Sequence, residues 1–346
     1  MAQFDDPLPA LAFPCELDSL TIQCDNSNPL LLTMRIGGQS GTLILQTTLY
    51  PNSADMVYLN DLATLLEDNL PPRAVSEVYF GIDTHAESVM VIPSRANISR
   101  SAEDFTAQHF LTLLDGARPT YLGAQEWLPY YATATQPTPS VTCLWVNPTT
   151  GETREVPGRI TSVTHYSNNL HTIYFQPHLF VRPADGFILH SFRVELDTRR
   201  QDYILHEPTD CTPLSLKFCN NFGQTETFHL FGTMEKELKP TRSTASFNGK
   251  TRNYKVEAVP TWKCHTGVMP PSIQPLFADL CEATEVTRLD NGAEVTITEC
   301  ELRLTNDRYT VQTSSITFRE AARTARFTKQ NVRRQTFDNT FDATFD

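Results

Sequence analysis

The sequence predicts a mainly β protein with two or three β-sandwich-like domains, a few short accessory helices and an extended C-terminal tail. Thr and Phe, which favour pleated and half-buried surfaces, are frequent, with 44 and 20 residues among 346. Short runs in which apolar and polar residues alternate recur along the chain, as expected of half-buried strands. Two Asn-Gly pairs, at Asn248-Gly249 and Asn291-Gly292, stand between such runs and predict tight hairpin turns.

Residues 1–132 are predicted to form a β-rich domain with short helices. Strands are expected at 20–24, 31–36, 42–45, 76–82 and 89–92. Asn60 or Asp61 is expected to cap a helix that buries Leu62, Leu65 and Leu66 and stops before Pro71. Ser101, at capping-box spacing from Asp104, predicts a second helix that ends near Gly116.

The middle segment, residues 133–212, is bounded by two stretches that lack an apolar period and contain prolines. Strands are expected between these stretches at 141–146, 171–175 and 187–196. The segment is either a domain of its own or the completion of the first domain.

Residues 213–320 are predicted to form a C-terminal β-sandwich with one helix. The two Asn-Gly turns separate strands at 243–247 and 251–259, and at 284–289 and 293–304. Between these hairpins, Ser272 is expected to cap a helix with Pro275 in its first turn. Its apolar residues follow helical spacing, at Ile273, Leu276, Phe277 and Leu280.

The last segment, residues 321–346, combines basic residues with a four-residue Thr-Phe-Asp repeat. Six Lys and Arg residues stand against Glu320 alone over 319–334. In an extended chain, a period of four places Phe337, Phe341 and Phe345 on one face and the Asp residues on the other. Such a strip predicts an assembly interface, in which the segment adds as a strand to the sheet edge of another subunit. Docking on its own chain and disorder are the alternatives.

The overall composition excludes several classes of protein. A formal net charge of −12 disfavours nucleic acid as the main partner. No apolar run approaches the length that spans a bilayer, and no basic region precedes an apolar stretch at the amino terminus, so neither a membrane partner nor Sec export is expected. Eight cysteines are scattered without a Cys-x-x-Cys pair, which predicts reduced thiols in structural positions.

The motifs of common enzymes are absent from the sequence, and no catalytic residue, cofactor or metal is predicted. Asp83, His85 and Glu87 alternate as a metal triad would, but a polar loop is the stronger interpretation. Neighbours in a strand point to opposite faces, so Cys264-His265 is a poor catalytic dyad.

Aromatic residues at Trp127, Tyr130 and Tyr131 are a candidate platform for stacking on a glycan. Buried core or interface positions are the commoner role of such residues. These three residues carry the alternative hypothesis that the protein is a carbohydrate-binding or adhesin module. An enzyme with two carboxylates on facing strands is a further alternative, although the sequence singles out no such pair.

A set of short segments over about residues 214–346 forms one pattern: Phe218–Phe228, Asn248-Gly249, Arg252–Tyr254, Gly267–Met269, Ile297–Glu301 and the terminal Thr-Phe-Asp repeats. In this pattern the chain resembles virion structural proteins, of tail or baseplate type, of phages and prophages of gut anaerobic bacteria. The resemblance implies a non-enzymatic component of the virion that is synthesised in the bacterial cytoplasm. Its expected partners are other virion subunits and further copies of itself, assembled into a ring.

Overall fold

The computed structural model describes residues 2–25, 28–83, 85–132, 138–165, 169–206, 212–302 and 313–321. Over these residues the protein is mainly β, with five sheets and three short α-helices. The predicted fold class is therefore confirmed, while the C-terminal tail after residue 321 lies outside the described residues.

The first sandwich-like unit contains eight strands in two sheets. The strands are β1 Gln3–Phe4, β2 Leu11–Ala12, β3 Leu20–Gln23, β4 Leu30–Ile36, β5 Thr42–Leu49, β6 Met56–Leu59, β7 Ser76–Ile82 and β8 His85–Val91. One sheet has the order β2-β8-β7-β4-β5 and the other β1-β3-β6. Ile22 from the smaller sheet and Phe80 from the larger one lie in the same hydrophobic core, because alternate strand residues point to one face.

Two short helices accompany this unit. Helix α1, Leu62–Asn69, lies where the apolar spacing predicts it, but Asp61 does not cap it. Instead, the Asp18 carboxylate accepts a hydrogen bond from the Ala63 amide at 3.1 Å. Helix α2, Ala102–Gln108, is capped by Ser101 as predicted, yet it ends well before Gly116 because the chain continues extended into two hydrophobic cores at Phe110 and Leu111.

The second sandwich-like unit also has eight strands in two sheets. The strands are β9 Arg118–Thr120, β10 Glu126–Tyr131, β11 Ser140–Val146, β12 Thr153–Pro157, β13 Ser162–His165, β14 Leu170–Phe175, β15 Ile188–Leu196 and β16 Arg199–Leu205. Their sheet orders are β10-β14-β13 and β12-β11-β15-β16-β9. Because β10 pairs with β14, Leu128 and Tyr130 share one core with the segment that follows. The predicted boundary between residues 132 and 133 therefore does not separate two cores.

The third unit is one seven-stranded sheet with a helix packed on it. Its elements are β17 Leu214–Cys219, β18 Thr225–Leu230, β19 Met234–Phe247, β20 Lys250–His265, α3 Gln274–Glu282, β21 Val286–Arg288, β22 Glu294–Glu301 and β23 Ser315–Glu320. The strand order is β18-β17-β21-β22-β23-β20-β19. Leu276, Phe277 and Leu280 of α3 are buried against the sheet, as their spacing predicts. Ser272 does not cap α3, because a 3-10 turn at Pro271–Ile273 precedes the helix.

Both predicted Asn-Gly turns are present. Asn248 and Gly249 have φ angles of 51° and 71° between β19 and β20, and Gly292 has a φ of 70° between β21 and β22. These are the left-handed conformations that Asn and Gly adopt at the least cost.

A further hydrophobic cluster joins the three units. Phe13 from the first unit and Phe222 from the turn between β17 and β18 are both fully buried, and their ring centroids lie 5.8 Å apart. Leu111 and Leu170 lie in the same cluster. The units therefore share apolar surface as well as the chain that connects them.

The prediction of reduced cysteines is wrong for one pair. Cys281 at the end of α3 and Cys300 in β22 form a disulfide, with their Cα atoms 5.9 Å apart. The fold brings the helix end within the Cα separation that a disulfide requires. Five others are free thiols, namely Cys15, Cys24, Cys143, Cys219 and Cys264, and Cys211 lies outside the described residues.

In the part of the chain that the structure describes, no helix combines the length and the apolar composition that a membrane crossing requires.

Candidate functional site

A buried charge cluster lies where the second unit meets the third. It consists of Arg118 on β9, Glu126 on β10, and Glu226 and His229 on β18. All four side chains are at most 2% exposed. Charged side chains are rarely buried so completely unless they are paired. Because buried ionisable groups are common at functional sites, this cluster is the first candidate site.

The strand geometry explains how one arginine reaches two carboxylates. Glu226 and His229 point to opposite faces of β18, since side chains alternate along a strand. Strand β18 is the edge strand of the seven-stranded sheet, so residues of the second unit can approach it from outside. Arg118 also donates to the backbone carbonyl of Thr227, at 3.4 Å, on the same strand as Glu226.

Both carboxylates are surrounded by donors. Arg118 pairs with Glu226, and its other terminal nitrogen lies 3.4 Å from Glu126. Glu226 also accepts hydrogen bonds from the Thr112 hydroxyl at 2.5 Å and the Asn220 amide at 2.7 Å. Glu126 accepts from the hydroxyls of Thr120 and Thr227, at 2.5 and 3.0 Å.

The electrostatic consequence is that Arg118 and Glu126 keep their charges. Burial alone would lower the pKa of Arg118, but the neighbouring Glu226, Tyr203 and Glu126 outweigh it and raise that pKa. Burial would likewise raise the pKa of Glu126, but His229 and Arg118 lower it. A buried ion pair with satisfied hydrogen bonds is costly to break, because either partner alone would be an uncompensated charge.

One part of the cluster has the geometry of a serine nucleophile relay. Ser215 Oγ lies 2.8 Å from His229 Nδ1, and His229 Nε2 lies 2.8 Å from Glu126 Oε1. A serine, a histidine and a carboxylate joined in this order form the catalytic triad of many hydrolases. Ser215 and His229 are neighbours across the β17–β18 ladder, so the antiparallel register brings them together.

The surroundings of this relay do not favour catalysis. Ser215 is only 4% exposed, and its hydroxyl lies 3.0 Å from the Tyr121 hydroxyl. The charge of Glu126 is shared with Arg118. The cavity beside His229 and Arg118 has a volume of about 20 Å³, which holds about one water molecule. A substrate therefore has no room to reach the serine in this conformation.

Asp279 on α3 is a second buried carboxyl near the cluster. Its Oδ1 atom accepts a hydrogen bond from the Asn221 amide at 2.7 Å, and its Oδ2 atom has no hydrogen-bond partner among the described residues. Burial, together with the charge of Glu226, raises its pKa to about 8. Asp279 is therefore largely protonated at neutral pH, whereas the pKa of Glu126 is lowered.

The predicted glycan platform does not form one exposed surface. Tyr130 is fully buried and Tyr131 is 7% exposed, in two different hydrophobic clusters. Trp127 is half-buried, with its ring 4.9 Å from that of Tyr174. Because β10 is buried on both faces, the two tyrosine rings are core contacts, which is the commoner role that the sequence analysis gives such residues.

The other residues that the sequence singled out make local structural contacts or lie outside the described residues. His85 pairs with Glu87 at 2.8 Å, while Asp83 accepts a hydrogen bond from the Leu31 amide. No cluster of metal-ligating residues is found in the described ranges. Cys264 is buried, which raises the pKa of its thiol to about 12. Phe337, Phe341 and Phe345 lie outside the described residues.

Sequence reasoning missed the buried charge cluster. Its carboxylates stand within strands whose other residues are mostly apolar or Thr, at Glu126 in EWLPYY and at Glu226 in TETFHL. A charged residue inside such a run was the available signal, since a buried charge needs a partner. The partner itself could not be read from the sequence, because Glu126 and His229 are 103 residues apart.

A long β-hairpin is the second candidate site, and we call it the arm, residues 234–265. Its strands contain 14 and 16 residues, against the five or six that are usual. At its base, Trp262–His265 pairs with β23 and packs on the core of the third unit. Further out, Leu238 and Val259 are 58% and 50% exposed. At the tip, a Cβ atom on Gly249 would have no atom of the described residues within 4 Å, apart from its chain neighbours.

Comparisons with known proteins identify no family. No protein-family model matches the sequence, and no curated protein matches it either. The pullulanase SAP of Group B Streptococcus in complex with maltotetraose is 12% identical, with a TM-score of 0.19, over 56% of this chain and 22% of that chain. The full extracellular region of plexin A4 is 8% identical, with a TM-score of 0.18, over 92% of this chain and 36% of that chain. The chain thus spans about a fifth to a third of these proteins, and such low TM-scores carry no argument about fold or function.

Proposed function

We propose that the chain is a non-enzymatic structural subunit of a phage virion, of tail or baseplate type. Its proposed partners are other virion subunits and further copies of itself, arranged in a ring. The proposal joins the sequence resemblance over residues 214–346 to a surface in the same region that is suited to assembly.

The observation that carries the proposal is the arm. A two-stranded ribbon is marginally stable in water unless something covers it. Here the ribbon extends about ten residues beyond its last pairing with β23, which corresponds to roughly 34 Å at about 3.4 Å per residue. It exposes apolar side chains at Leu238 and Val259, which a partner would cover. An extended hairpin of this kind is better suited to contact between subunits than to a monomer, in which its apolar side chains stay exposed.

The buried charge cluster supports a structural role. Its ion pairs connect β9 and β10 of the second unit to β18 of the third. A sealed cluster of paired charges fixes the relative position of two units, and catalysis would require access for a substrate. We therefore assign the cluster to the rigidity of the subunit and not to a reaction.

Electron microscopy of the purified full chain tests the proposal. We expect closed rings or ordered assemblies in negative stain at micromolar concentration. A monodisperse monomer at high concentration, measured by light scattering, would contradict the proposal. Binding of the same chain to a glycan array would instead support the carbohydrate-binding alternative.

Removal of Thr336–Asp346 tests the role of the terminal repeat. Each Phe that is buried in a contact contributes roughly 1.5–3 kcal/mol before ordering costs, so three are sufficient to decide association. We expect the truncated chain to keep its melting temperature and to lose self-association. A chain with the same eleven residues in scrambled order is the control, because it keeps the composition and loses the four-residue period. Association by the scrambled chain, or a lower melting temperature on truncation, would contradict docking in trans by strand addition.

A further inference from the structure

We infer that the arm of one copy binds the Thr-Phe-Asp segment, residues 336–346, of a second copy as a β-strand added to the free edge of β19. This inference rests on the proposed function, since it names the contact through which the subunits assemble. It depends on the pairing of the arm, its charge and the sequence of the segment.

The first argument is the free edge. Among the described strands, β19 pairs only with β20 and is the last strand of its sheet. Its unpaired amide and carbonyl groups are a template for another extended chain. Pro240 lacks an amide donor, so an added strand would pair best along Thr241–Phe247, beyond that proline. These seven residues accommodate almost two of the four-residue repeats.

The second argument is the charge of the outer arm, which we define as residues 241–256. This section contains four basic residues and no acidic one, in a chain whose net charge is −12. The basic residues are Arg242, Lys250, Arg252 and Lys255. The inner arm, by contrast, contains both signs of charge, with Glu235, Lys236 and Glu237 in succession. The outer arm therefore selects an acidic partner.

The third argument is the sequence of the segment. Residues 336–346 contain three Asp, three Phe and no basic residue. As a strand, the segment presents Asp338, Asp342 and Asp346 on one face and the Phe side chains on the other. It therefore combines the acidic charge that the outer arm requires with apolar side chains that cover the ribbon.

The charges also indicate whether the segment that binds an arm comes from the same chain or from a second copy. Phe318 of β23 pairs with Trp262 at the base of the arm, so the chain leaves β23 beside its own arm. Five basic residues follow before the repeat, at Arg323, Arg326, Lys329, Arg333 and Arg334. This basic section is repelled by the basic arm of its own chain. A second copy can present its repeat without bringing the basic section alongside the arm.

Lysines and prolines at a sheet edge commonly prevent unwanted pairing, and β19 contains Lys236, Lys239 and Pro240. This protection and the inferred binding are compatible. Positive charge repels a second copy of the arm, which is basic itself, and attracts only an acidic strand. The same residues thus disfavour pairing with a second arm and favour pairing with the acidic segment.

A charge-exchange experiment on full-length chains tests the inference. One variant reverses the arm, R242E/K250E/R252E, and the other reverses the segment, D338K/D342K/D346K. Each variant alone opposes like charges, so we expect its self-association to weaken at least about tenfold relative to the wild-type chain. A mixture of the two variants pairs opposite charges again and should regain association to within about threefold of wild type. The control R100E/R159E/R182E makes the same change in charge at exposed residues outside the arm and should associate like wild type.

The outcomes separate the contact from the function. Wild-type assembly that is insensitive to arm reversal, or a mixture that does not regain association, overturns the arm contact and leaves the proposed function standing. A wild-type chain that remains monomeric overturns the proposed function itself. A labelled DNA duplex is added as a competitor: if the arm variant loses DNA binding while its self-association is unchanged, the partner of the arm is nucleic acid and the inference is wrong.

Discussion

Replacing Asp279 with asparagine is expected to change how the stability of the protein depends on pH. Asp279 lies on α3 and is 1% exposed, next to the negative charge of Glu226. Burial and that charge raise the pKa of its carboxyl from the ordinary 3.8 to about 8. Between these two values the folded chain holds a proton that the unfolded chain has released.

The sign and size of the effect follow from this difference. Stability falls as pH rises wherever the folded state binds more protons than the unfolded state. Each unit of pH in this range costs about 1.4 kcal/mol, so Asp279 lowers the free energy of unfolding by roughly 3 kcal/mol between pH 5 and pH 7.5. The amide that replaces the carboxyl has no proton to lose and retains an oxygen that can accept from the Asn221 amide. We therefore expect the stability advantage of Asp279→Asn over wild type to grow by roughly 3 kcal/mol from pH 5 to pH 7.5.

Urea unfolding followed by circular dichroism at both pH values measures this difference. Subtracting the two chains at each pH removes the contributions of other titrating groups, which both share. Glu155→Gln removes an exposed carboxylate on β12, away from Asp279, and controls for the change in net charge. The reasoning would be refuted if the stability difference between Asp279→Asn and wild type changed by less than about 0.5 kcal/mol between pH 5 and pH 7.5.

Four other predictions can be checked by standard assays. Arg118→Ala leaves the buried Glu226 without its cationic partner and removes one partner of Glu126, so it should lower the free energy of unfolding by about 3–5 kcal/mol, whereas Arg154→Ala, in an exposed ion pair, should cost at most about 1 kcal/mol in the same denaturation experiment. Gly249→Val and Gly292→Val should each cost about 1 kcal/mol or more through strain at positive φ, and asparagine at the same positions should be tolerated better in thermal melts. Reducing the Cys281–Cys300 disulfide, which closes a loop of about 20 residues, should lower the free energy of unfolding by about 3 kcal/mol. Mass spectrometry should also find Cys143 and Cys264 unalkylated in the native chain, because burial raises the pKa of each thiol to about 12. A fluorophosphonate probe should leave Ser215 unlabelled because the side chain is sealed, and rapid labelling would contradict the non-enzymatic assignment.

The elements that were predicted correctly depend on neighbours in sequence. The Asn248-Gly249 turn requires only that two adjacent residues accept positive φ. Helix α1 requires that Leu62 and Leu66 lie on one face, and both are buried. Tyr130 and Tyr131 are buried, which is the commoner role of such aromatic residues, but the sequence did not identify β14 and the joining cluster as the elements that cover them.

Helix ends show the limit of local patterns. Ser101 caps α2 through the Asp104 amide, as its spacing predicts, since both groups belong to the same turn. The cap of α1 comes from Asp18, which accepts a hydrogen bond from the amide of Ala63, 45 residues away in sequence. A local capping rule cannot identify such a residue, because only the fold brings it to the helix end.

The sequence by itself determined the β-rich fold class and the two Asn-Gly hairpins. These properties follow from residue type and from spacing within a few positions, where backbone geometry is nearly fixed. Only the tertiary structure decided which distant groups meet. It paired Cys281 with Cys300, placed Ser215 beside His229 and Glu126, and buried Arg118 between two glutamates. The free energy of burying a charge or forming a disulfide depends on partners that are separated by many residues, and the packing of sheets sets those separations in space.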